Sequence, residues 1–209
     1  MKKVKVALIG TGNWCLQHCR VLTHHPQVFF CGILGRNKER TKKRAKLFDV
    51  PYYLDLQELI RNQKPDLINI SLPNEHHYDM TMKVIKSSCH LFVEKPLVFK
   101  MQEAKKLLAE AKKRKLFFGI NFNWRYSTPV RKAVQAINEN ELGEINFITW
   151  RFGGSGGGGD PHGNLIETQC HGFDMLEYLN GPIKSVQSMM TDKTNNGFST
   201  FVVSIKFKN

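Results

Sequence analysis

The sequence predicts an α/β protein: a doubly wound parallel sheet followed by a second, smaller α+β domain built mostly on antiparallel strands. Three observations carry this. Strand-like and helix-like segments alternate through the first 120 residues, as a parallel sheet with crossover helices requires. The first strand runs straight into a glycine pair, Gly10 and Gly12. After Asn123 the alternation stops, and the chain closes on two strand-like segments with no helix between them.

Taken in order, VKVALIG (4–10) is a buried-strand candidate, and Cys15, Cys19 and Leu22 mark one face of the helix that follows. VFFCGIL (28–34) is the second strand, with a basic helix ending near Phe48. Tyr52–Tyr53 form a short strand before a helix whose buried side holds Leu56, Leu59 and Ile60. DLINISLP (66–73) is a strand and 75–87 a helix; HLFVEKP, a helix through Leu107 and Leu108, and LFFGINF (116–122) complete the set. These assignments place one domain at 1–123 and a second, partial one at 124–209. In the second, a helix begins at Pro129, where a missing N–H costs nothing. EINFITWRF (144–152) alternates like a long strand, and a glycine-rich loop (153–163) follows. A helical stretch from about Ile166 to Leu179 stops at Asn180-Gly181-Pro182, and strands are expected at 185–193 and 198–209. Ending on an alternating strand leaves a sheet edge that proteins usually cover. The expectation is a truncated second domain, or an edge closed by another subunit.

Bulk properties narrow the function classes. The net charge is +13, but its basic residues concentrate at Arg36–Lys46 and Lys105–Lys115. In the second run they alternate with Ala104, Leu107, Leu108 and Ala111, as on the solvated face of an amphipathic helix. With no aromatic interleaving and no nucleic-acid motif, the expectation is no nucleic-acid partner. Five scattered cysteines without a CxxC pair point to a reducing compartment. Lys5 and Gly10 break the first apolar run, no stretch is long enough for a bilayer, and a cytoplasmic protein without a membrane partner is expected.

The strand–turn–helix setting of GTGNWC gives its glycines a purpose. Gly10 permits the tight turn, and Gly12 lets the backbone approach a pyrophosphate at the helix N-terminus. Cys15 stands where a third glycine or alanine would sit. At the end of the second strand, a carboxylate would hold the ribose 2′-hydroxyl of NAD, whereas arginine suits a 2′-phosphate. The chain offers Arg36, Asn37 and Lys38, with Arg40 nearby and no carboxylate before Glu39. A guanidinium fork matches a phosphate dianion, so NADP is the preferred cofactor, with NAD open.

Residues 91–99, LFVEKPLVF, interrupt an apolar run with a charged pair and a proline. Buried charges are costly unless paired and hydrogen-bonded, yet the carboxyl edge of a parallel sheet is where open α/β folds hold ligands. The strand ends at SLPNEHH (71–77), VEKP (93–96) and NFNWRYSTP (121–129) all fall on that edge. Together with GTGNWC, LGEI (142–145) and ETQCHGFDMLEYLNG (167–181), they resemble the Gfo/Idh/MocA family, named after glucose–fructose oxidoreductase and inositol dehydrogenase, along essentially the whole chain.

The resemblance implies a Rossmann-type domain and hydride transfer between a nicotinamide and a secondary alcohol or ketone of a sugar, nucleotide sugar or cyclitol. It implies that Lys95 relays the proton, with His171 sharing it and Glu167 orienting the imidazole from one helix face. It places Gly10, Thr11, Gly12, Asn13 and Trp14 at the dinucleotide, Arg36 and Lys38 at its 2′-position, and Pro73, Asn74 and His77 along the crevice. Glu94, Lys95, Trp124 and Arg125 complete the cofactor set, and Lys95-Pro96 is expected to include a cis bond. A homo-oligomer formed through the second-domain sheet is a further implication. Two departures stand out: Glu167 where relatives carry Asp, and Gln169 where they carry Gly. His76 and His77 read equally as helix-start residues, and Trp124 as packing. Asp160, His162, Glu167 and His171 match no metal-ligand spacing, so no metal is expected. A catalytically silent dinucleotide-binding sensor of the same family is the alternative.

Overall fold

The computed structural model describes residues 2–153, 165–192 and 199–208. Of the glycine-rich loop, residues 154–163, with Asp160, Pro161 and His162, lie outside the described residues. The chain divides into two compact units, Met1–Asn121 and Phe122–Asn209.

The first unit is a six-stranded parallel sheet of β1 (Val4–Ile9), β2 (Val28–Leu34), β3 (Tyr52–Tyr53), β4 (Leu67–Ile70), β5 (His90–Val93) and β6 (Phe118–Ile120). The strand order is β3-β2-β1-β4-β5-β6. Chain direction across the sheet therefore reverses beside β1, which creates the crevice where doubly wound sheets bind ligands. Because consecutive strand residues face opposite ways, β1 feeds two cores. Val6 and Leu8 pack with Cys15, Cys19 and Leu22 of α1 (Asn13–His24) and Ala45 of α2 (Lys38–Leu47). Ala7 and Ile9 pack on the other side with Leu56 and Leu59 of α3 (Leu56–Gln63), Val84 and Ile85 of α4 (His77–Lys86), and Leu107 and Ala111 of α5 (Met101–Lys113). All five cysteines are free thiols.

Helix starts follow local chemistry. Asp55 caps α3 by accepting from the Glu58 N–H at 2.8 Å, and Asn37 caps α2 by accepting from the Arg40 N–H at 2.9 Å. Helix α1 differs. Its N-cap is Gly12, with no side-chain cap and no acidic residue in the first turn.

The register aligns the strand ends. Ile9 pairs with Leu34 and Ile70, Ile70 with Val93, and Val93 with Ile120. One residue further, the N–H groups of Gly10, Ser71, Glu94 and Asn121 donate to the carbonyls of Leu34, Ile9, Ile70 and Val93 at 2.8–2.9 Å. These four residues stand in one row along the carboxyl edge.

The second unit holds α6 (Thr128–Asn138), α7 (Cys170–Asn180) and an antiparallel pair, β7 (Ile183–Asp192) with β8 (Ser199–Phe207). Two expectations need correction. Residues 144–152 form no strand among the described residues, although their alternation suits one. A strand exists only through ladder partners, and the β7–β8 sheet has two members. The helix expected from Ile166 is also broken. A helical run at 165–167 stops, 168–169 turn, and α7 begins at Cys170. No helix among the described residues is long and apolar enough to cross a membrane.

Ile70 is fully buried at the centre of the larger core. Ile70→Ala should lower unfolding free energy by about 2–5 kcal/mol and Ile70→Val by about 0.5–1.5 kcal/mol, read from urea titrations. Equal losses for the two would mean that the side chain is not close-packed.

Candidate functional site

Each unit carries its own cluster of polar and aromatic side chains. In the first, Gly10 adopts φ +130°, and a Cβ there would lie 2.1 Å from the Ser71 carbonyl oxygen and 2.6 Å from Cys15 Sγ. No other residue type fits. This close approach carries β1 into α1 and leaves the first-turn N–H groups of α1 without side-chain caps. Such a helix start suits a phosphate. Cys15 occupies the third-glycine position fully buried, and its thiol donates to the Ser71 carbonyl at 2.9 Å. Burial pushes that thiol up, against the smaller opposing effect of hydrogen bonds and Arg44. Arg44 reaches the carbonyls of Thr11 and Gly12 at 3.3 Å, tying α2 to the glycine loop. Thr11 is half-buried; Asn13, Trp14, Arg36, Lys38 and Arg40 are exposed.

The strand-end row converges on Glu94, which is 5% exposed. Its Oε1 accepts from Trp14 Nε1 at 2.7 Å, bonds His18 Nε2 at 2.7 Å, and accepts from Asn121 Nδ2. Its Oε2 accepts from the Lys95 backbone N–H at 3.1 Å. Behind it, Asn69 Nδ2 lies 2.9 Å from His18 Nδ1. With the amide donating to Nδ1, the imidazole carries its proton on Nε2 and donates to the carboxylate. Burial pushes the Glu94 carboxyl up. The hydrogen bonds from His18, Asn121 and Trp14 together outweigh burial and hold it below its ordinary value. Lys95 itself is half-buried, and the Lys95-Pro96 bond is cis.

His77 is fully buried at the first position of α4. Its Nδ1 lies 2.8 Å from the Pro96 carbonyl and its Nε2 2.9 Å from the Leu72 carbonyl. The geometry fits a helix-start residue that clamps the loop after β4 to the loop after β5. Pro73 and Asn74 belong to the turn between, Pro73 exposed and Asn74 half-buried.

In the second unit, His171 is 5% exposed and stacks on Trp124, ring centroids 4.5 Å apart at 8°, with the edge of Phe122 at 6.0 Å. Arg125 donates to both carboxylate oxygens of Asp174, at 2.6 and 2.5 Å, and lies over the Tyr178 ring at 4.7 Å. Hydrogen bonding to Asp174, against a smaller effect of burial, raises the Arg125 pKa. Its fork is thus engaged in joining the turn before α6 to α7. Glu167 and His171 do not share one continuous helix face. His171 N–H bonds the Thr168 carbonyl three residues back, at 3.3 Å, where a helix would bond Glu167. Gln169 is buried and accepts from Trp150 Nε1 at 3.1 Å, while Gly172 admits the same indole. No cluster of three metal-ligating side chains occurs among the described residues.

Four participants escaped the sequence reading. His18 lies one turn from Trp14 on α1, beside the Cys15, Cys19, Leu22 face that the apolar spacing marks. Asn69 stands polar in an apolar strand, a signal that a buried partner must exist. Asn121 follows β6 in the row that holds Glu94. Asp174 is one turn from both Cys170 and Tyr178 on α7.

A doubly wound unit with an uncapped, glycine-led helix start at its switch point defines a dinucleotide-binding class of protein. The family model described as oxidoreductase family, NAD-binding Rossmann fold (Gfo/Idh/MocA) matches residues 4–122, and the chain belongs to that family. An uncharacterized oxidoreductase of Synechocystis is 27% identical over 202 residues, covering 89% of this chain and 54% of that protein. Myo-inositol 2-dehydrogenase of Thermotoga maritima is 23% identical over 203 residues, covering 90% of this chain and 58% of its own. Among solved structures, the WlbA dehydrogenase of Bordetella pertussis in complex with NADH and UDP-GlcNAcA superposes with a TM-score of 0.82. It has 16% identity, over 99% of this chain and 64% of that one. The chain thus spans about half the length of the curated relatives it matches.

Because the Glu94 carboxyl is held below 4.5, the unfolded chain binds more protons than the folded one as the pH falls through that region. The stabilisation it provides is complete above 4.5 and lost as the pH drops through the lowered folded value. Glu94→Gln should therefore reduce the melting temperature at neutral pH, with the gap to wild type narrowing under acid. A gap that stays constant with pH would show that the carboxylate's charge contributes nothing.

Proposed function

We propose that this chain provides the dinucleotide-binding unit and part of the substrate unit of an NAD(P)-dependent oxidoreductase. Hydride moves between the nicotinamide and a secondary alcohol or ketone of a sugar, nucleotide sugar or cyclitol. The observation that carries the reading is the α1 N-terminus. Gly10 forces the turn, Gly12 leaves the first-turn N–H groups without a side-chain cap, and the helix opens at the sheet's switch point. A pyrophosphate held there supplies the charge those N–H groups lack. Family membership and the resemblance to a cyclitol dehydrogenase support the substrate class.

The residues fit a nicotinamide dinucleotide. Thr11 and Asn13 flank the helix start that takes the pyrophosphate. Arg36 and Lys38, exposed just beyond β2 with no carboxylate before Glu39, suit a 2′-phosphate, so NADP is preferred over NAD. The nicotinamide supplies hydride chemistry; the protein's part is the proton. Lys95 holds the hydroxyl proton during oxidation and returns it during reduction. Its ammonium follows the hydrogen-bonded peptide of a buried carboxylate, which limits how far it can wander. His171, gripped between Trp124 and Phe122, is the imidazole that shares the hydroxyl proton, and Glu167 assists it. Assembly into a homo-oligomer through the β7–β8 sheet belongs to the same reading. The exposed Val186, Met189 and Val202 support it.

Two measurements test this. Lys95→Ala should lower kcat by about two orders of magnitude with myo-inositol and a panel of sugars while NADPH still quenches Trp fluorescence. Activity surviving that change would remove the proton assignment. Arg36→Ala should weaken NADPH binding by about tenfold or more and leave NADH nearly unaffected, the scale of a charged hydrogen bond. Equal losses would exclude the 2′-phosphate contact.

A further inference from the structure

The Glu94 carboxylate has a position that neither dinucleotide binding nor proton transfer requires. It is buried, and its oxygens are committed to three structural elements. Oε1 takes Trp14 and His18 from α1, one turn apart on the same face, and Asn121 from the end of β6. Oε2 takes the peptide N–H of Lys95. The Asn69 amide of β4 backs the His18 ring. A carboxylate that accepts four N–H groups offers little to a ribose hydroxyl. What it does instead is connect the helix whose N-terminus faces the pyrophosphate to the peptide that carries the lysine.

We propose that Glu94 is a positioning residue, with His18 and Trp14 as its supports, and that it couples the α1 helix to the Lys95 segment so that an occupied dinucleotide loop is felt at residue 95. The inference rests on the reading of Lys95 and the glycine loop given above. It replaces the expectation that Glu94 and Trp14 contact the cofactor directly. Geometry explains the residue types. A carboxylate accepts on both oxygens, whereas glutamine in the same volume keeps one acceptor for Trp14, His18 and Asn121 and turns an N–H₂ towards the Lys95 N–H, donor against donor. Trp14 supplies its indole N–H although half of its surface is exposed, 52%. A ring with that much freedom is held by its one polar atom. The fully buried His77, gripping the Pro96 carbonyl from the other side, fixes the far end of the same short segment. Lys95 thus sits between two anchors, one to α1 and one to α4.

The test uses the whole chain labelled with nitrogen-15, with the Lys95 amide resonance as reporter and NADPH as probe. In wild type, NADPH should shift that resonance, and the Lys95 amide should exchange slowly with solvent. In Glu94→Gln the amide should exchange about tenfold faster, the effect of losing one hydrogen bond. NADPH affinity should stay within about threefold, because the helix start is untouched, and the NADPH-induced shift at residue 95 should disappear. Trp14→Phe removes only the indole N–H from an exposed ring and should weaken the shift while the fold is retained. It decides the matter if the glutamine variant does not fold. An unmoved Lys95 amide in both variants overturns the coupling. So does a tenfold or greater loss of NADPH affinity in Glu94→Gln, which would make Glu94 a cofactor ligand. The two readings fail separately: activity surviving Lys95→Ala removes the proton assignment, whereas an unchanged amide response in Glu94→Gln removes the coupling.

Discussion

The parallel register of β1, β4, β5 and β6 is the constraint on which the first unit depends. Ile9, Ile70, Val93 and Ile120 lie side by side, and each hands its last ladder bond to the residue that follows. Gly10, Ser71, Glu94 and Asn121 are therefore brought together without any of them contributing to the core. A slip of one residue in β5 would turn Glu94 to the other face of the sheet and expel its carboxylate from its three side-chain donors. The buried isoleucines and valines of the strands hold that register, so the apolar interior decides where the chemistry-bearing edge sits.

Much of the first unit was legible because both signals it uses are local. Apolar runs of four to seven residues bounded by Gly, Pro or Asp mark strands, and the Cys15, Cys19, Leu22 spacing marks a helix face. The order of the strands follows from the doubly wound pattern. The partners of Glu94 were not legible, since His18, Asn69 and Asn121 come from three separate elements and meet only through the register. A buried carboxylate announces that donors must exist but not which they are. The residue types around His77 posed the same difficulty. Its two carbonyl partners are backbone atoms, and backbone partners leave no trace in the sequence.

The second unit shows the opposite balance. Its aromatic residues were visible, but their arrangement was not, because ring stacking carries no periodicity. Residues 144–152 alternate as a strand should, yet alternation describes only which side chains would share a face. The ladder needs a neighbour, and the described residues supply none. At 167–171 the spacing of Glu and His satisfied a helical rule, while the backbone closes a three-residue turn instead and begins α7 afresh. The local pattern was sound in both places; the tertiary partner decided the outcome.

The EKP triplet can now be understood from the strand end. Once β5 has given its last ladder bond at Glu94, no further strand N–H is needed there, so a residue without one, Pro96, interrupts nothing. Glu94 turns inward because three side-chain donors from α1 and β6 await it, and a carboxylate meets them with enough hydrogen bonds to offset its own desolvation. That outcome leaves Lys95, the next residue, with its peptide N–H held by the same carboxylate and the Pro96 carbonyl held by His77. A long, flexible ammonium is most useful to chemistry when its backbone cannot move. The charged pair that looked misplaced in an apolar run is divided between two tasks, one charge buried as a fastening and the other left on a fixed base.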